Sequence, residues 1–179
     1  NWHPYMLDPN VPPGGVAYTD YMKAKFGVGP SDKFKAMRTH LEEIGPKLDI
    51  DFRFSGIPMR PNTLDAHRLM RWASGQGLGT AMAEALFKAF FTDHKDVGDT
   101  DVLADIAGQV GLDATLTQEL LKSDRDTAEV SAEIAHFQRL GISGVPTFIY
   151  NRQFAVQGAQ AAEAHINALN QAAQNALET

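Results

Sequence analysis

No cysteine occurs among the 179 residues, which excludes disulfides, thiolate metal sites and a cysteine nucleophile within them. An excess of positive charge is missing too: 16 basic against 22 acidic side chains leave a formal charge of -6. That balance repels nucleic acid and anionic lipid, so neither is expected as a partner. No apolar run approaches the roughly 20 residues of a membrane span. The opening residues lack the basic and apolar stretches of a secretion signal. Histidines 3, 40, 67, 94, 136 and 165 contain no i, i+4 pair, which removes the helical zinc motif, and no metal site is expected. The chain opens with Asn1 rather than Met, and the expectation is that something upstream was removed by cleavage, truncation or proteolysis.

What remains is a chain that is 44% hydrophobic, long enough to bury a sizeable core. Residues 1–7 are short, aromatic and interrupted by Pro4, and read as the end of an edge strand before a Pro- and Gly-rich loop at 8–15. Tyr18 to Phe26 fits a helix closed by Gly27. Ser31 is placed to cap a second helix running to about Leu48, with Phe34, Met37, Leu41 and Ile44 at helical spacing. In 49–61, Ile50, Phe52 and Phe54 alternate with polar residues, which predicts a short extended segment.

From Thr63 onward the spacing predicts helices in succession, with stops at Gly75, Gly77 and Gly111 and starts at Asp99 and at Asp113 or Thr115. A longer helix is expected from about 124 to 140, ended by Gly141. Then β-rich stretches at 147–150 and 154–156 flank Asn151 and Arg152, placed for a tight turn, and an Ala-rich helix follows Gly158.

The most specific local signal is Gly141-Ile142-Ser143-Gly144-Val145-Pro146-Thr147-Phe148, a helix end followed by a proline just ahead of a strand. Proline cannot donate to a ladder, so it belongs at the strand's beginning. On these residues alone, a trans proline ending a loop and a cis turn both remain open. Other patterns fail. Val145 stands where a nucleophile elbow needs glycine. Asp93, Asp96, Asp99 and Asp101 lack the alternation of a calcium loop, and Gly75, Gly77 and Gly79 follow no predicted strand.

The order helix, X-Pro, hairpin, helix resembles the second half of the thioredoxin fold. The chain as a whole resembles the DsbA-like family of thioredoxin-fold oxidoreductases, near its FrnE-type branch. The likeness rests on Ser143-Gly144-Val145-Pro146-Thr147-Phe148, on Pro61-Asn62-Thr63-Leu64-Asp65-Ala66-His67-Arg68, and on Leu103-Ala104-Asp105-Ile106-Ala107 with Gly111-Leu112. Gly158-Ala159-Gln160 and the opening Trp2-His3-Pro4-Tyr5 with Leu7 and Pro9 add to it. It implies an α/β, thioredoxin-like fold with an inserted all-helical domain. Residues 1–10 and 124–179 would form the thioredoxin-like domain, without its first strand and first helix, and 11–123 the insertion.

The function implied is thiol–disulfide exchange by a Cys-x-x-Cys pair at a helix N-terminus. Its nucleophile is expected upstream of Asn1, so no catalytic residue is assigned in this sequence. Gly144, Val145 and Pro146 would be the cis-proline loop that receives extended substrate. Asn62 and His67, with Arg68 beside them, and Gly158, Ala159 and Gln160 would supply further substrate contacts. Partners would be protein or small-molecule thiols and disulfides, with no nucleic acid and no membrane, and a homodimer is left open. The cytoplasm is the expected compartment, or the periplasm if a signal peptide preceded the absent segment. No cofactor is implied unless it is glutathione. The related 2-hydroxychromene-2-carboxylate isomerases and kappa-class glutathione transferases use glutathione, with serine at the nucleophile position, but this chain has Ala159 and Gln160 where an acidic pair would hold it. A non-catalytic binding or chaperone-like module is the third reading.

Overall fold

A computed structural model describes residues 1–27 and 32–177, and the chain divides into two compact units, Asn1–Ala132 and Glu133–Thr179. In the first, a minimal antiparallel pair joins β1 (Val16–Ala17) to β2 (Met59–Arg60), with Val16 opposite Arg60. Between these strands run α1 (Tyr18–Phe26) and α2 (Asp32–Ile44), the latter ending in a 3-10 turn, Gly45–Leu48. Gly45 and Pro46 break the α ladder there, so the helix stops short of the expected Leu48. Ser31, expected to cap α2, lies outside the described residues.

Four further helices form the core of this unit: α3 (Leu64–Gly75), α4 (Gly79–Phe91), α5 (Thr100–Val110) and α6 (Ala114–Leu121). Leu69, Met82, Leu103 and Ile106 are fully buried among them. Asp99 caps α5 by accepting from the N–H groups of Asp101 and Val102 at 2.9 and 3.0 Å. Asp113 caps α6 through the Leu116 N–H at 2.9 Å. Each cap contributes about 1 kcal/mol. Between them Gly111, at φ 103°, takes the left-handed position that ends α5 and turns the chain into α6.

Two stretches depart from what their residue pattern suggests. Residues 1–7 form no strand, because among the described residues no ladder partner lies beside them. The 49–61 segment is not a regular extended run. Its phenylalanines collapse together: Phe52 stacks on Phe54 with ring centroids 5.3 Å apart, and both meet Phe91 edge-on. A 3-10 turn at Phe54–Gly56 results, and only Met59–Arg60 is strand.

Helix α7 (Thr127–Arg139) begins three residues later than the spacing suggests. The cause is Arg68, whose buried guanidinium collects the carbonyls of Leu120, Leu121, Ser123 and Arg125. It thereby holds the α6–α7 link as a turn. In the second unit β3 (Thr147–Tyr150) and β4 (Phe154–Gln157) form an antiparallel hairpin, and α8 (Ala162–Leu177) packs on it. Phe148 and Tyr150 both approach His165 of α8, the Tyr150 hydroxyl lying 2.6 Å from its Nδ1. Thr147 and Ile149, the alternate positions, face the other side of the hairpin.

Candidate functional site

In the second unit the loop after α7 brings several expected residues together. The Val145–Pro146 peptide bond is cis. The carbonyl of Pro146 accepts the Gly158 N–H at 2.7 Å, which ties the entry to β3 to the exit from β4. Gly158 has φ 79°, a conformation that favours glycine, and it releases the chain toward α8. The Thr147 hydroxyl donates to the Gly144 carbonyl at 2.8 Å and stiffens the loop from within. Val145 remains half-exposed, and its backbone N–H and C=O make no hydrogen bond among the described residues. Ala159 and Gln160 are exposed, and the Gln160 side-chain amide folds back to donate to the Gln157 carbonyl at 3.0 Å.

Asn62 and His67 belong to the first unit, and both serve the segment that opens the chain. The Asn62 amide donates to the Val11 carbonyl at 2.6 Å, and its Oδ1 accepts from the Leu64 N–H at 3.0 Å. The His67 Nε2–H donates to the Tyr5 carbonyl at 3.1 Å. Burial pushes the His67 imidazole below its ordinary pKa, against the smaller opposing effect of that hydrogen bond. Arg68 is 2% exposed and, besides its four carbonyls, bonds Asp65 at 2.7 Å, so it is a structural strut.

A charged cluster in the first unit escaped the sequence reading. Asp8 accepts from Tyr21 at 2.8 Å and from Lys25 at 3.0 Å, and Arg60 donates to it as well. Burial works to raise the Asp8 carboxyl, but these three donors outweigh it and hold the group below the usual carboxylate range. The Tyr21 hydroxyl sits above its usual range because it is buried and bonded to that carboxylate, despite Lys25 beside it. Only the i, i+4 spacing of Tyr21 and Lys25 was visible in advance; Asp8 comes from the loop before β1 and Arg60 from β2. Among the described residues no three His, Asp or Glu side chains converge as a metal site would require, and no helix is long and apolar enough to cross a membrane.

The description of the DSBA-like thioredoxin domain matches residues 1–170. A probable DsbA oxidoreductase from Streptomyces coelicolor has a similar crystal structure, with TM-score 0.80 and 29% identity, over 93% of this chain and 71% of that one. The Bacillus subtilis protein YwbO is 27% identical over 150 residues, 83% of this chain and 70% of that protein. Helices interrupting a few short strands, a cis proline ahead of a hairpin and a closing helix fit that match throughout, and the chain belongs to the DSBA-like thioredoxin domain family, with an α/β thioredoxin-like fold carrying inserted helices.

Proposed function

We propose that this chain is the substrate-facing part of a dithiol–disulfide oxidoreductase of the DsbA/FrnE type, whose redox cysteines lie in a segment preceding Asn1. In this reading residues 1–10 and 124–179 belong to one thioredoxin-like domain, and 11–123 are its helical insertion. The observation that carries the proposal is Val145: half-exposed, just ahead of β3, with both backbone groups unpaired among the described residues. An extended peptide can add to such a backbone by strand-like hydrogen bonds, with Gly144 and Pro146 beside it leaving the approach free of long side chains. Ile149 and Ala155, exposed on the hairpin face away from α8, would be covered by the same preceding segment.

The chemistry conserves atoms and electrons simply. A cysteine thiolate attacks one sulfur of a substrate disulfide, a mixed disulfide forms, and the other substrate sulfur leaves as thiolate. The second cysteine then displaces the substrate sulfur, so two electrons pass to the substrate, or the reverse when the substrate is oxidised. The test is the natural reading frame expressed with its upstream codons and assayed for catalysed insulin reduction. Activity that disappears when the first cysteine becomes serine supports the proposal. A natural serine at that position would replace it with the glutathione-dependent isomerase reading, and neither residue with a binding module.

A further inference from the structure

A second candidate site lies wholly within the first unit and asks for no cysteine. Its centre is Arg38, on the same stripe of α2 as Phe34, Met37 and Leu41, a half-buried apolar face where another apolar residue would ordinarily stand. The guanidinium carbon lies 5.3, 4.8 and 5.2 Å from the ring centroids of Tyr18, Phe34 and Phe54. Aromatic faces thus cover the group, which leaves its edge, where all its N–H bonds point, as the part free to act. One edge nitrogen donates to the Tyr18 hydroxyl. No carboxylate pairs with Arg38 among the described residues, in a chain that carries six more acids than bases.

Arg38 shares with Arg60 the wall of a cavity of about 250 Å³, which Phe54 and Phe91 also line. The Nε–H groups of Arg38 and Arg60 are the two buried side-chain nitrogens that find no acceptor among the described residues. A buried donor without an acceptor is costly, and native structures retain few of them. Lys25 adds a third cation nearby, against the single carboxylate of Asp8 among the described residues that line this region. The surroundings are therefore apolar in their walls, cationic in net charge and short of acceptors.

We propose that this cavity binds a small monoanionic acid with a flat apolar body, the carboxylate on the Arg38 and Arg60 edges and the body against Phe54 and Phe91. Arginine edges match carboxylate oxygens in a paired geometry. The aromatic walls complement a planar ligand by stacked or edge-on contact. The volume falls just below the roughly 300–1,000 Å³ of drug-sized sites, so the ligand is correspondingly small.

Calorimetric titration of the intact chain with benzoate, and with benzamide as its uncharged counterpart, tests this. Benzoate should bind at one site per chain and raise the melting temperature, with benzamide weaker by about tenfold or more, the loss expected when a charged hydrogen-bond partner is removed. Arg38→Gln should weaken benzoate by a similar factor, and Arg38→Lys by less. Benzoate that fails to saturate, or that binds no better than benzamide, overturns the proposal, as does a folded Arg38→Gln chain with unchanged affinity. The benzoate–benzamide contrast needs no variant and decides the matter even if Arg38→Gln does not fold.

Discussion

Helices α3 to α6 bury Leu69, Met82 and Leu103 at 0% exposure between them and leave Phe87 and Leu116 outside, whereas the hairpin unit leaves Val145, Phe148, Ile149, Ile166 and Leu169 between 41 and 54% exposed. Both contain helices of ordinary length, so length does not explain the contrast. Partners do. Helices α3 to α6 pack on one another, while α8 covers only one face of a two-stranded hairpin and leaves the other face open. The first unit is built to be stable by itself, and the second presents surface. That surface includes Val145, where the proposed chemistry needs a docking edge.

The largest blow to this contrast should come from Arg68. Replacing it with Met leaves four carbonyls of the α6–α7 link without their donor, and we expect a loss of about 3–5 kcal/mol, read as a lower urea midpoint. A loss below 1 kcal/mol would mean that water serves those carbonyls equally well. Truncations sharpen the same comparison. Leu103→Ala should cost about 2–5 kcal/mol because nothing can fill the space, and Ile166→Ala on α8 should stay within about 0.5 kcal/mol. Equal costs in the two units would erase the difference drawn between them.

A pH dependence follows from His67. Its imidazole is held below the ordinary value in the folded chain, so the unfolded chain takes up the proton first as pH falls. Stability should be full above about pH 6.5 and decline from there toward the lower folded pKa. His67→Gln should remove that part of the slope, leaving the acid loss below pH 4 that Asp8 contributes through its lowered carboxyl pKa. Denaturant midpoints of both proteins measured from pH 8 to pH 5 check it. Parallel curves would show that burial does not hold the imidazole below its ordinary value.

Legibility in the sequence followed the range of the forces involved. Tyr18 to Phe26, the caps at Asp99 and Asp113 and both hairpin strands could be read because each depends on residues a few positions away. The 49–61 segment was misread because Phe52 and Phe54 alternate like a strand yet pack against Phe91, some forty residues distant. The start of α7 moved for the same reason, since Arg68 acts on it from α3. At the candidate site, the Gly144-Val145-Pro146 loop was visible as a local pattern. The roles of Asn62 and His67 as pins for residues 5–11 were not, because backbone carbonyls leave no trace in side-chain identity. Arg38 did leave one: a cation in the middle of an apolar stripe.

The smallest expected effect tests how well the hairpin itself is built. Its connection has three residues, Asn151 to Gln153, with Asn151 and Arg152 in the turn as expected and the Gln153 N–H bonding the Tyr150 carbonyl at 3.1 Å before β4 begins. Asn151 and Arg152 have φ of 50° and 57°. Asn tolerates that left-handed region, but Arg gains nothing from it and carries a Cβ crowded against its own carbonyl. Arg152→Gly removes the crowding while adding freedom to the unfolded chain, for a net gain of about 0.5 kcal/mol. A rise of a degree or two in melting temperature is the expected reading. A fall would show that the Arg152 side chain holds the hairpin by a contact that outweighs its backbone cost, making the second unit less dependent on outside cover than its exposed residues imply.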